Sequence, residues 1–164
     1  MKNYGFTLIE LVVAFSVIAL LSTVGIASFV NYSRSQALTV SAKDLVNTLN
    51  LAKSRSLSQV LPSQCSGQSL VGYEVRLCIS TQSCASGINY ELNVVCSGSI
   101  YSAIETKNLP VNINFDTVKT TTTSFIFPVL TGGVKMNGGD GTIVLSGYYG
   151  QEKIITVSNS GIIK

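Results

Sequence analysis

The segment after Glu10 restricts the chain more than any other, because no charged side chain appears between Glu10 and Arg34. That interval of roughly 23 residues is mostly Leu, Val, Ile, Ala and Phe, and as a helix it is long enough to cross a bilayer core of about 30 Å. A helix that is apolar on every side has no face to offer water, so it must be buried in lipid or among like helices. Glu10 stands at the start of this run. A carboxylate in hydrocarbon costs on the order of 2.5–3.5 kcal/mol on insertion scales, so a cation has to be supplied. Lys2 is the only basic residue before it, and no Lys or Arg lies within helical reach after it. An α-amino group created by cleavage between Gly5 and Phe6 would lie too close along the same helix to pair well. The expected partner is therefore the amine of a neighbouring copy or homologue.

Two plainer readings compete for this stretch. An ordinary secretory signal peptide could be cut at the small-x-small sequence Gly25-Ile26-Ala27, which would release an exported, disulfide-bonded adhesin. Glu10 inside the apolar run argues against it. A simple single-pass anchor explains the length of the run but not the combination of Gly5, Phe6 and Glu10.

That combination, with Lys2 in a very short leader and Thr7-Leu8-Ile9 before Glu10, resembles the class III signal of type IV pilins and type II secretion pseudopilins. The resemblance implies cleavage after Gly5 by a prepilin peptidase, N-methylation of Phe6, and a role for Glu10, the fifth mature residue, in docking into a growing filament. The C-terminal part, from Phe125-Ile126-Phe127-Pro128 through Thr142-Ile143-Val144-Leu145 and Gly147-Tyr148-Tyr149-Gly150 to Ile154-Ile155-Thr156-Val157-Ser158 and Gly161, is similar to the head domain of GspH/FimT-like minor pilins.

Beyond the apolar run the pattern becomes amphipathic. Leu38, Ala42, Leu45, Leu49 and Ala52 recur at spacings of four and three, which predicts one apolar stripe on a continuing helix. Arg34, Lys43, Asp44, Lys53 and Arg55 fall largely elsewhere and read as a solvated face, with Arg34 also suited to a headgroup layer. Pro62 is expected to end the helix. The predicted organisation is a leader at 1–5, a membrane and filament-core helix at 6–30, an amphipathic helix at 31–61, and a β-rich head at 62–164. The fold class is α+β, a long N-terminal helix with a transmembrane first half packed on a small C-terminal antiparallel β-sheet domain.

Within the head, Tyr73–Ile79 and Tyr90–Cys96 alternate at period two and predict a hairpin. Further strands are expected at Val111–Phe115, Ser124–Leu130, Gly133–Met136, Thr142–Ser146, Lys153–Val157 and Gly161–Ile163, with Pro128 at an edge or bulge and the Thr run of Lys119–Ser124 as an exposed loop. Four cysteines behind an export signal read as two disulfides in an oxidising space. Three connectivities are possible. Pairing the hairpin about its loop brings Cys96 level with the entry of Cys65, so Cys65 to Cys96 and Cys78 to Cys84 is preferred.

Histidine is absent, which removes Ser/His/Asp and Cys/His nucleophile arrangements and histidine metal sites. The acids are scattered singly, and Asn137-Gly138-Gly139-Asp140-Gly141 reads as a turn rather than a calcium loop. No enzyme activity, cofactor or metal is expected. Only 12% of residues are charged and the net charge is +3, too weak a field to suggest nucleic acid. Some FimT-type pilins bind DNA through a C-terminal Gly-Arg-x-Arg element. Here the matching place is Gly161-Ile162-Ile163-Lys164, without either arginine, leaving Lys153 and Lys164 as the remaining cations.

The function implied is that of a structural minor pilin or pseudopilin in a type II secretion pseudopilus or type IV pilus. A DNA-binding pilin of natural transformation is the alternative from another class. The implied partners are prepilin peptidase, an inner-membrane assembly platform, membrane lipid before assembly, and other pilins. The implied location is the cytoplasmic membrane, with the N-terminus inside and the head in the periplasm or outside.

Overall fold

The apolar stripe decides where the head docks on the helix. In a computed structural model that describes Gly5, residues 7–79, Cys84, and residues 87–98, 100–136 and 138–164, helix α1 runs continuously from Leu8 to Leu57. At 1.5 Å per residue its 50 residues span about 75 Å. The side chains of residues 23–25, 27, 100 and 101 are outside the description. Leu38, Ala42, Leu45, Leu49 and Ala52 are all buried, so the predicted stripe is the surface on which the core is built. The helix stops at Leu57, short of the expected 61. Gln59 takes a left-handed φ of 49°, and the extended Pro62 opens a 3-10 turn at Ser63–Cys65.

Among the described residues the head consists of two antiparallel sheets. The first contains β1 (Leu70–Leu77), β2 (Tyr90–Cys96), β3 (Ile100–Lys107) and β5 (Ser124–Pro128), in the order β3-β2-β1-β5. The second contains β4 (Asn114–Phe115), β6 (Gly141–Ser146) and β7 (Glu152–Val157), in the order β4-β6-β7. The chain thus has an α+β arrangement, a long helix packed on a small antiparallel β domain. Alternation selects the inner faces: Tyr73, Val75 and Leu77 of β1, Tyr90, Leu92 and Val94 of β2, and Phe125 and Phe127 of β5 join the helical stripe in one core. Ile143 and Leu145 of β6, with Ile155 and Val157 of β7, complete it from the second sheet. Burial pushes the Tyr90 hydroxyl pKa above its usual value.

Several elements differ from expectation. The sequence pattern does not predict strand β3. Its Ser, Glu, Thr and Lys content gives little apolar alternation, and it exists because β2 pairs with it from Tyr90↔Lys107 to Cys96↔Ile100. The expected strand at Val111–Phe115 shrinks to Asn114–Phe115, because Val111 and Asn112 form a turn in which Asn112 has a φ of 64°. Gly133–Met136 contributes only an isolated bridge, Ile126↔Lys135, and the last residues a bridge, Val157↔Ile163. The Thr run is not a free loop. The Thr120 and Thr121 hydroxyls accept the backbone N–H groups of Val144 and Thr142, and Thr122 is buried, so the segment continues the edge of β6 past the short β4. Pro128 ends β5, an edge strand, where its missing N–H costs no ladder bond.

Two disulfides bind the first sheet. Cys65 pairs with Cys96, fastening the 3-10 turn to the end of β2, and Cys78 pairs with Cys84 across a sequence separation of 6.

Candidate functional site

The N-terminal part of α1 has the opposite character to the stripe. From Leu8 to Val30 every described Leu, Ile, Val and Phe side chain is solvent-exposed within the chain, including Leu8, Phe15, Leu20 and Phe29. The apolar surface therefore runs round the whole circumference, and Leu11, Ala14, Phe15 and Ile18 line an apolar groove along it. The Ser16 and Ser22 hydroxyls donate to the carbonyls of Val12 and Ile18 at 2.8 and 2.7 Å, so neither needs an outside partner. Among the described residues, no helix is long and apolar enough to cross a membrane.

Glu10 lies in the first turn of α1, where the helix dipole favours a negative charge. Thr7 is the extended residue before the helix, and its hydroxyl, 3.5 Å from the Glu10 carboxylate, is the only partner of that carboxylate among the described residues. Gly5 is exposed. Phe6, the expected methylation site, and Lys2 lie outside the described residues.

At the point where α1 enters the head, Arg34 is gripped by a second 3-10 turn, Tyr148–Gly150. Its guanidinium stacks 4.5 Å from the centroid of the Tyr148 ring and 5.7 Å from that of Tyr149, and it donates to the Tyr149 hydroxyl at 2.9 Å. Asn112 donates to the Tyr148 hydroxyl, and Gly147 lets the turn approach Leu38, one helical turn beyond Arg34. The sequence reads Arg34 as a solvated-face or headgroup-level cation, and no pattern in it links this residue to Tyr149, 115 residues away. The clasp brings together the two features that stood apart in sequence.

Other clusters are structural in form. Glu74 is buried and accepts hydrogen bonds from Arg76, Asn93 and Ser124, while Glu91 accepts from Asn93 and lies 3.7 Å from Arg76. Cys78, Cys84 and Glu91 converge, but the sulfurs are consumed in a disulfide and offer no thiolate. Asp140 accepts the N–H of Asn159, as a turn residue would, and Asn137 is outside the description. Lys43, Lys153 and Lys164 meet at one shallow cleft between α1 and β7.

The family model described as the prokaryotic N-terminal methylation motif matches residues 1–26. A stretch of 38 residues is 55% identical to prepilin peptidase-dependent protein D of Escherichia coli (strain K12), covering 23% of this chain and 26% of that protein. The chain thus spans about a quarter of the length of that curated relative. No solved structure matches it.

Proposed function

We infer that this chain, type IV pilin-like or pseudopilin-like in its N-terminal motif and in its helix-on-sheet fold, is a structural minor pilin or pseudopilin made as a precursor. The observation that carries the reading is the contrast within α1: every described apolar side chain up to Val30 is exposed, and a buried stripe follows from Leu38. The first half requires a surrounding of lipid or like helices, and the second holds the head. Prepilin peptidase cleaves after Gly5 and Phe6 is then N-methylated. Before assembly, residues 6–30 anchor the chain in the cytoplasmic membrane with the N-terminus inside and the head on the far side, where an oxidising space maintains both disulfides.

On assembly the apolar helices leave lipid for one another. Glu10, which has no cation beside it among the described residues, is neutralised by the Phe6 amine of an adjacent subunit. The role is assembly through an inner-membrane platform, in a type II secretion pseudopilus or a type IV pilus, and not catalysis. The test is the mature N-terminus by mass spectrometry, from native membranes and from cells lacking the peptidase. N-methyl-Phe6 in the first and intact Met1 in the second are expected. A mature chain starting near Ser28 would overturn the reading.

A further inference from the structure

The junction between stalk and head has the composition of a membrane interface, and its height along α1 is set by the Arg34 clasp. Val30 is the last apolar side chain of the run, and Arg34 lies one helical turn, about 6 Å, beyond it. Because Arg34 is bonded to Tyr149 and stacked on Tyr148, the Tyr148–Gly150 turn stands at that same level. A bilayer of about 40–45 Å with a core of about 30 Å has a headgroup layer some 5–7 Å deep on each side. With Val30 at the edge of the core, the turn falls inside that layer.

What it exposes there suits the layer. Tyr32 is 67% exposed and Tyr149 is 80% exposed, and aromatic rings with a polar tip concentrate at this depth. Tyr149 takes a φ of 55°, which an L residue adopts at some cost. Its side chain nonetheless projects outward rather than into the core. Next to Asn112, which holds the Tyr148 hydroxyl, Val111 is 81% exposed. Asn31, Arg34 and Gln151 join both tyrosines around a cleft of about 370 Å³, bringing two amides and a guanidinium to one place. Amide and guanidinium N–H groups are donors suited to a phosphodiester.

We propose that the Tyr148–Gly150 turn, with Tyr32, Arg34 and Val111, is a membrane-facing surface that seats the head on phospholipid headgroups before assembly, the cleft taking a lipid phosphate. This rests on the reading that the apolar half of α1 inserts in the membrane, and the test separates the two. The chain has no tryptophan, so single-Trp variants of the full chain report position directly. Phe15→Trp, Tyr32→Trp, Tyr149→Trp and Leu57→Trp are reconstituted in vesicles of phosphatidylethanolamine with a minority of phosphatidylglycerol, carrying either chain-brominated or headgroup-nitroxide lipid.

The expected result is that Phe15→Trp loses most of its emission to the brominated chains, Tyr32→Trp and Tyr149→Trp lose most of theirs to the headgroup nitroxide, and Leu57→Trp at the far end keeps its emission. Quenching of Phe15→Trp and Tyr32→Trp without Tyr149→Trp would mean that the helix inserts while the head stands clear, which overturns the surface and leaves insertion intact. If Phe15→Trp is unquenched, both fail. Quenching of Leu57→Trp together with Tyr149→Trp would mean the whole head lies on the bilayer, which also overturns the assignment.

Discussion

Glu10 and Asp116 are both carboxylates near the surface, and their surroundings give them different work. Asp116 accepts the backbone N–H groups of Lys119 and Val118, which hold its pKa below the ordinary Asp value. A carboxyl whose folded pKa is depressed stabilises the fold above its unfolded pKa, and the contribution disappears as pH falls through the folded value. Asp116→Asn should therefore lower Tm most at neutral pH, and the gap from wild type should close below about pH 4, read by thermal unfolding across pH. Among the described residues Glu10 has only the Thr7 hydroxyl and no such bonds to the backbone. Glu10→Gln should leave membrane insertion and the head's Tm unchanged while abolishing incorporation into filaments, scored by shear and sedimentation. Normal incorporation would remove Glu10 from assembly. Arg76 faces two carboxylates, Glu74 and Glu91, whose side chains are almost fully buried. Arg76→Ala should cost about 3–5 kcal/mol in urea unfolding, because it leaves negative charge uncompensated in the sheet.

At the scale of elements, α1 is two helices in one, distinguished by what each turn must bury. The upper half is held by a stripe, so its substitutions should divide sharply by face. Leu45→Ala, at a fully buried position, is expected to cost about 2–5 kcal/mol. Val40→Ala, on the exposed side of the same helix, should stay within about 0.5 kcal/mol. Urea midpoints of the full chain in detergent check both, and equal losses would mean the stripe is not what docks the helix. Strand β3 makes the converse point. Its residues have weak strand character, and its place is secured by a ladder to β2 across a register shift between Leu92 and Asn93.

For the whole molecule, the two disulfides close loops of very different length, with sequence separations of 31 and 6. Chain-entropy arguments assign about 3.7 kcal/mol to the longer loop and about 2.2 kcal/mol to the shorter. Cys65 and Cys96 are also fully buried, so their replacement leaves a gap in the core. The double variant Cys65→Ala/Cys96→Ala should lower Tm clearly more than Cys78→Ala/Cys84→Ala. The reverse order would mean that the short loop organises the head.

The parts of this protein legible in its sequence are those governed by local rules. The apolar run, the stripe from Leu38 to Ala52 and the alternation of Tyr90–Cys96 each repeat with the period of the element they form, and the residues around Gly5 to Glu10 are adjacent in the chain. Distance along the chain hid the rest. The grip of Tyr148 and Tyr149 on Arg34, the meeting of Glu74 with Asn93 and Ser124, the Thr run lying along β6 and the pairing that creates β3 all join residues with no common period. Periodicity determines which face of an element must be buried. Only the packing of two sheets against one helix decides which distant side chains then share a site.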